Sequence, residues 1–213
     1  MTDNWLIVGL GNPGAEYAHN RHNVGQMVLD ELATRVGGGF KSSKSRAQVL
    51  EGRLGIGGPR VVLAKPLSFM NVSGGPVSAL AKFFDIDPGH VIAVHDEIDI
   101  PFNTVKIKIG GGEGGHNGLR DISKALATKD YLRVRVGVGR PPGRMDTADY
   151  VLRDFSSTEK RNSRSCSIPR RMPWNASSGT ACSPPSSSSI RPRPRRRDPR
   201  RRTFLFNDLQ YPL

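Results

Sequence analysis

The sequence predicts a single three-layer α/β domain, a central mixed sheet flanked by helices, followed by a basic tail. Three observations carry this reading. Short apolar runs of strand character alternate with segments whose apolar residues recur at helical spacing. Two runs, TVKIKIG (104–110) and YLRVRVGVG (131–139), alternate strictly between apolar and polar residues, as strands with two unlike faces do. The helical segments fall between the strands rather than after them, which places helices on a sheet instead of in a separate bundle.

Taken in order, WLIVGL (5–10) is a short apolar run ending in glycine, the mark of a buried strand. Val24, Met27, Val28, Leu32 and Val36 follow helical spacing, and Gly37-Gly38-Gly39 stops that helix. AQVLEGRL (47–54) and RVVLAKP (60–66) flank Gly55–Pro59 and read as a hairpin. Val77, Leu80, Ala81 and Phe84 mark a second helix, closed by Asp87-Pro88-Gly89. VIAVHDE (91–97) is another buried strand, and Leu119, Ile122, Ala125 and Leu126 mark a third helix. The alternating runs set Lys106 and Lys108 opposite Val105, Ile107 and Ile109, and Arg133 and Arg135 opposite Leu132, Val134 and Val136.

The pattern breaks near residue 160. Ser156-Ser157-Thr158-Glu159 is a capping box, a helix start signal, yet no amphipathic stripe follows it. Residues 161–213 hold twelve arginines, no lysine and two acids, and so carry +10 of the formal net charge of +13. Arg/Pro/Ser composition cannot bury enough apolar surface to offset chain entropy, so the expectation is a domain over 1–160 and a disordered tail over 161–213. A basic RNA-binding tail and a reading-frame change in a GC-rich gene both give such a segment. The abandoned capping box and the missing lysine favour the frame change. Both cysteines, Cys166 and Cys182, lie in the tail, so the domain has no disulfide framework and no Cys-ligated zinc site. The start of the chain has no signal peptide pattern and no run reaches a membrane span, which suits the cytoplasm.

Four segments carry the chemistry: GLGNPGAEYAHNRHNVG from Gly9, KPLSFMNVSG from Lys65, VHDEIDIP from Val94 and GGGEGGHNGL from Gly110. Each brings an Asn, His or Asp, beside glycines, to the end of a strand or the start of a helix. GLGNPG matches a dinucleotide-binding fingerprint, but the acid expected about 20 residues on falls inside a helical pattern, and Pro13 lacks an N–H for phosphate. The loop instead presents Asn12, with Gly11 and Gly14 leaving room for substrate. His22 and Asp96 form a base with an orienting carboxylate, which is half of a triad. No serine sits in a nucleophile elbow, so the simplest task for the pair is to activate water. A metal site using His95, Asp96 and His116 has no supporting ligand spacing. Asn71 and Asn117 stand near helix starts, where an asparagine either caps the helix or binds substrate. Lys106, Lys108, Arg133 and Arg135 make either a solvated sheet face or a phosphate-binding patch.

These segments, in this order, resemble the bacterial peptidyl-tRNA hydrolase family. The likeness runs from about Trp5 to Glu159 through GLGNPG.EY..NRHNVG, KP.SFMN.SG, HDE.D.P and K.K.GGG.GGHNGL..I. It implies one α/β domain with a mixed sheet, acting on the ester between a peptide and the 3′ end of tRNA. By motif, His22 resembles the general base and Asp96 its partner. Asn12, Asn71 and Asn117 resemble residues that bind peptide, ester and water. Tyr17 and Met70 would line the cleft, and Lys106, Lys108 and Arg135 would hold tRNA phosphates. The resemblance further implies a monomer needing no metal or organic cofactor, and a C-terminal helix where this chain has its Arg/Pro/Ser segment. The competing reading is a non-catalytic RNA-binding protein with a basic tail, which leaves His22, Asp96 and three strand-end asparagines without a task.

Overall fold

The computed structural model of the chain describes residues 4–164; of the tail expected to be disordered over 161–213, residues 161–164 are described and are helical, and the rest lies outside that range. Seven strands form one mixed sheet in the order β2-β3-β4-β1-β5-β7-β6. Its centre is β1 (Asn4–Gly9), which runs parallel to both β4 (Arg60–Pro66) and β5 (Val91–Glu97). β5 continues parallel to β7 (Leu132–Gly137). The edges are antiparallel: β3 (Ala47–Arg53) on β4 and β2 (Lys41–Ser43) on β3 at one side, and β6 (Val105–Ile109) on β7 at the other. The expected hairpin is therefore β3–β4.

Strand alternation sorts the core into two layers. Ile7, Leu63, Ile92, Val94, Val134 and Val136 face one side and pack with Val24, Val28, Leu29 and Leu32 of α1 (Val24–Val36). Leu6, Val8, Val62, Ala64, Val91 and Ala93 face the other. There they meet Val77 and Leu80 of α2 (Gly74–Phe83) and Leu119 and Ile122 of α3 (Asn117–Ala125). The three expected helices thus supply both outer layers. α1 ends where expected, at Gly37 with φ 78. α1 crosses the sheet with almost no room between backbones. A Cβ on Gly9 would stand 2.4 Å from the Gly25 carbonyl oxygen, and one on Gly25 would stand 2.3 Å from that of Val94. This contact fixes the start of α1, and the turn before it, over the ends of β1 and β5.

Three short elements lie outside the sequence expectation. β2 is a polar edge strand with no apolar alternation to betray it. α4 (Thr147–Val151) has only five residues and is capped by Asp146, whose carboxylate accepts from the N–H groups of Ala148 and Asp149. α5 (Ser157–Arg164) does follow the capping box and runs past the expected boundary at 160. Both arms of the box are made: Ser156 N–H donates to Glu159 Oε2 at 2.7 Å, and Glu159 N–H to Ser156 Oγ at 3.2 Å. Among the described residues no helix is long and apolar enough to cross a membrane.

Candidate active site

β1 and β5 end side by side, and the chain leaving each carries polar side chains toward the same place. His22 lies in a 3-10 turn, Arg21–Asn23, that leads straight into α1. Asp96 is the penultimate residue of β5 and is 5% exposed. Their side chains meet: His22 Nδ1 lies 2.8 Å from Asp96 Oδ1. An ionised carboxylate only accepts, so Nδ1 carries the proton and Nε2 has the free lone pair. Burial alone would raise the Asp96 carboxyl, but the neighbouring His22 and His116 outweigh it and hold the group well below the usual carboxylate range. The pair has the form of a base and its orienting anion.

Asn12 is the first polar side chain after β1, and it is firmly held. Its backbone N–H donates to Asn23 Oδ1 at 2.9 Å, and Asn23 Nδ2 returns a bond of 2.8 Å to the Asn12 carbonyl. Asn12 Oδ1 accepts from the N–H of Met70 at 2.8 Å. With Oδ1 committed, only its NH2 end remains to donate to a bound group. The role expected of Gly11 changes here: a Cβ on it would meet the side chains of Asn23 and Gln26 at 2.9 Å, so the residue serves this packing rather than substrate access.

Met70 is buried and opens the 3-10 turn Met70–Val72, which packs on the start of α3. A Cβ on Gly118 would stand 2.7 Å from Met70 Sδ, which shows how closely the two approach. Asn71 is exposed on that turn, and Asn117 is the exposed first residue of α3. Neither caps its helix. The cap of α3 is His116, whose Nδ1 accepts from Leu119 N–H at 3.3 Å, while Asn117 Oδ1 accepts from Arg120 at 3.4 Å. Tyr17 is half-buried at the end of the 3-10 turn Ala15–Tyr17, and none of its hydrogen bonds reaches the His–Asp pair.

The GLGNPG loop does not lead into a helix N-terminus, because two 3-10 turns intervene before α1. Asp30 is exposed and pairs with Lys65. The dinucleotide geometry is therefore missing as well as its acid.

Sequence reasoning treated His116 only as a metal-ligand candidate. In the structure its Nε2 lies 3.1 Å from Asp96 Oδ1, the same oxygen that holds His22. Ligand-type atoms of His22, Asp96 and His116 all fall within 4.8 Å of one another. His22 Nδ1 and His116 Nε2 both lie at hydrogen-bond length from Asp96 Oδ1, and the cap leaves the His116 proton on the nitrogen that faces that oxygen. His95, on the neighbouring strand position, is buried; its Nδ1 donates to the Asp96 carbonyl at 2.7 Å. Burial, helped by His116, pushes its pKa down to about 3. Asn23 was also missed, since no spacing rule links residue 23 to residue 12.

The cations split. Register pairs Lys106 with Arg135 and Lys108 with Arg133, so all four leave the same face of β6 and β7. Lys106 and Lys108 are exposed, but Arg135 is bound to Glu97 Oε2 through Nε at 3.0 Å and Nη2 at 2.9 Å. Arg133 is neither solvated nor part of a surface patch. It is 1% exposed, with Nη1 donating to the Gly112 carbonyl at 2.7 Å and its guanidinium over the Tyr131 ring.

The family model described as peptidyl-tRNA hydrolase matches residues 6–169. The peptidyl-tRNA hydrolase of Arthrobacter sp. (strain FB24) is 86% identical over 162 residues, covering 76% of this chain and 84% of the relative. That of Renibacterium salmoninarum is 70% identical over 162 residues, with the same coverage of each chain. Among solved structures, the Acinetobacter baumannii peptidyl-tRNA hydrolase superposes with a TM-score of 0.68 at 40% identity, covering 75% of this chain and 81% of that one.

Proposed function

This chain belongs to the peptidyl-tRNA hydrolase family, and from that premise we propose that it cleaves the peptide–tRNA ester with a water molecule activated by His22. The observation that carries the proposal is the 2.8 Å bond between His22 Nδ1 and the buried, ionised Asp96. It holds the imidazole in the tautomer whose Nε2 takes a proton from water.

The hydroxide then attacks the ester carbonyl. Asn12, through the NH2 group left over from its bond to Met70, and the exposed Asn71 and Asn117 are the side chains that bind the peptide, the ester and the oxyanion. As the tetrahedral species collapses, the imidazolium returns its proton to the leaving ribose oxygen, and Asp96 offsets the imidazolium charge in between. Met70 and Tyr17 line the cleft, and Lys106, Lys108 and Arg135 bind tRNA phosphates away from the chemistry. The site so described uses residues 1–160, no metal and no organic cofactor, and the enzyme acts as a cytoplasmic monomer.

Single-turnover cleavage of N-acetyl-aminoacyl-tRNA tests the assignment. His22→Ala is expected to lower the rate by about 10²–10⁴ or more with the fold retained. A near-wild-type rate in that variant removes His22 from the mechanism. Chelation with EDTA is expected to leave the parent rate unchanged; loss restored by Zn²⁺ would assign the His22–Asp96–His116 group to a metal.

A further inference from the structure

We propose that His116 is a positioning residue for this reaction: its ring bridges Asp96 to the first turn of α3 and so fixes both the carboxylate plane and the place of Asn117. The inference rests on the roles proposed above for His22 and Asp96.

The argument starts from a proton. The backbone N–H of Leu119 can only donate, so His116 Nδ1, 3.3 Å away, must carry a lone pair. A neutral imidazole then has its proton on Nε2, and that atom lies 3.1 Å from Asp96 Oδ1. The helix cap selects the tautomer, and the tautomer makes His116 a donor to the carboxylate.

Asp96 Oδ1 accepts a second bond, from His22 Nδ1 at 2.8 Å. The two donors arrive from different elements, the turn before α1 and the residue before α3. With one donor, the carboxylate can rotate about its broad terminal torsion. With two donors converging on one oxygen, that rotation breaks a bond whichever way it turns. The His116 ring is itself confined between neighbours, 5.1 Å from the His22 ring centroid at 44° and 4.9 Å from that of His95 at 71°. The other consequence runs along the chain. Asn117 follows His116 directly, so the carboxylate that orients the base also anchors the residue assigned to substrate.

Two substitutions separate the two bonds of the ring. In His116→Asn, the side-chain oxygen takes the place of Nδ1 and remains a good cap, but the chain is too short to reach Asp96. In His116→Gln, the amide nitrogen reaches the position of Nε2, while the cap is lost. With N-acetyl-aminoacyl-tRNA, His116→Asn is expected to keep the thermal midpoint and KM and to lose on the order of tenfold in kcat. His116→Gln is expected to recover kcat while losing midpoint. In ¹⁵N spectra of the histidine-labelled full chain, the His116 proton is expected on Nε2.

A wild-type kcat in His116→Asn overturns the proposal. So does a fall of kcat and midpoint together in both variants, which marks a purely structural residue, or a proton on Nδ1, which needs no variant to fold. His22→Ala, measured alongside, separates the two levels. If it is inactive while His116→Asn is fully active, only the role of His116 fails. If it is active, the reading of the site fails and takes this one with it.

Discussion

Glu159 grips Arg21 with both carboxylate oxygens, at 3.0 and 2.8 Å from Nη2. The same guanidinium donates through Nη1 to the carbonyls of Asp154 at 2.8 Å and Arg153 at 3.2 Å. It lies over the rings of Tyr150 and Phe155, 4.3 and 5.2 Å from their centroids. Arg21 directly precedes His22. The start of α5 is thereby tied to the turn that carries the proposed base, and Glu159 is also the residue that closes the capping box.

Glu159→Gln is expected to lower stability by about 1–3 kcal/mol, read from urea unfolding at neutral pH, because it leaves a buried guanidinium without its anion. The figure stays below that of a fully buried pair because Glu159 keeps 21% of its side chain exposed. Burial raises the Glu159 carboxyl, but bonds from Ser156 and Arg21 outweigh it and the net shift is downward. A depressed folded value gives stability that is present above the unfolded value of about 4.3 and lost as pH falls through the folded one. The wild-type and Glu159→Gln curves should therefore converge in acid. Curves separated by the same gap at every pH would deny the ion pair its role.

A chain ended after Lys160 retains this clamp, whereas one ended after Ser156 lacks it. The first is expected to keep the midpoint and cleavage rate of the full chain, and the second to lose midpoint. Comparing the two by thermal melting and single-turnover cleavage of N-acetyl-aminoacyl-tRNA decides the matter. A large fall in tRNA affinity on ending at Lys160 would mark the arginine-rich segment as an RNA anchor.

Asp96→Asn is expected to reduce kcat by on the order of 10². An amide keeps the shape of the carboxylate but loses the charge that stabilises imidazolium. It also offers His22 Nδ1 and His116 Nε2 one neutral acceptor in place of an anion. The loss should stay smaller than in His22→Ala, since the water site survives. An unchanged kcat would reduce Asp96 to a residue that closes the end of β5.

His95 gives the fold an acid sensitivity of its own. Burial holds the neutral ring's pKa down to about 3, while in the unfolded chain it titrates near 6.5. The unfolded state thus binds the extra proton first. Stability from this group is complete above about pH 6.5 and drains away as pH falls toward about 3, below which the slope vanishes. His95→Asn, which keeps a donor for the Asp96 carbonyl, is expected to flatten the stability–pH curve between those limits. Urea midpoints measured from pH 7 to pH 4 give the comparison, and parallel curves would show that His95 is not the group responsible.

Much of this was legible in the sequence, and what was not has identifiable physical reasons. β5 coincides with the apolar run 91–97, and the stripe Val24, Met27, Val28, Leu32 and Val36, stopped at Gly37, falls on α1, because both carry a strong apolar pattern. Lys41, Ser42 and Ser43 carry no such pattern: an edge strand with both faces polar has no periodicity to show. Alternation correctly set Arg133 beside Arg135 on one face. It could not tell that the glycine-rich chain at residue 112 folds over Arg133 and leaves Arg135 half-open. The residues brought to the site were named from their segments, but the bond from His116 to Asp96 spans 20 residues and two elements. Nothing in local spacing encodes it.

The cationic face remains as the place where tRNA is expected to bind. Lys106 and Lys108 are exposed on the edge strand β6, and phosphate can reach them without breaking an existing bond among the described residues. Arg135 differs, because Glu97 already holds its guanidinium at 2.9–3.0 Å, and an incoming phosphate must compete with that carboxylate. Replacing Lys106 or Lys108 by Ala is therefore expected to lower the slope of log Kd against log salt by about one each. Arg135→Ala should lower it by less. Glu97→Gln should have the opposite sign and tighten tRNA at low salt, because it releases Arg135 and removes a negative charge from the face. Binding of deacylated tRNA between about 50 and 200 mM salt measures all four without involving the chemistry. A slope indifferent to the two lysines means that this face is only solvated. An affinity unmoved by Glu97→Gln means that Arg135 serves the sheet and not the substrate.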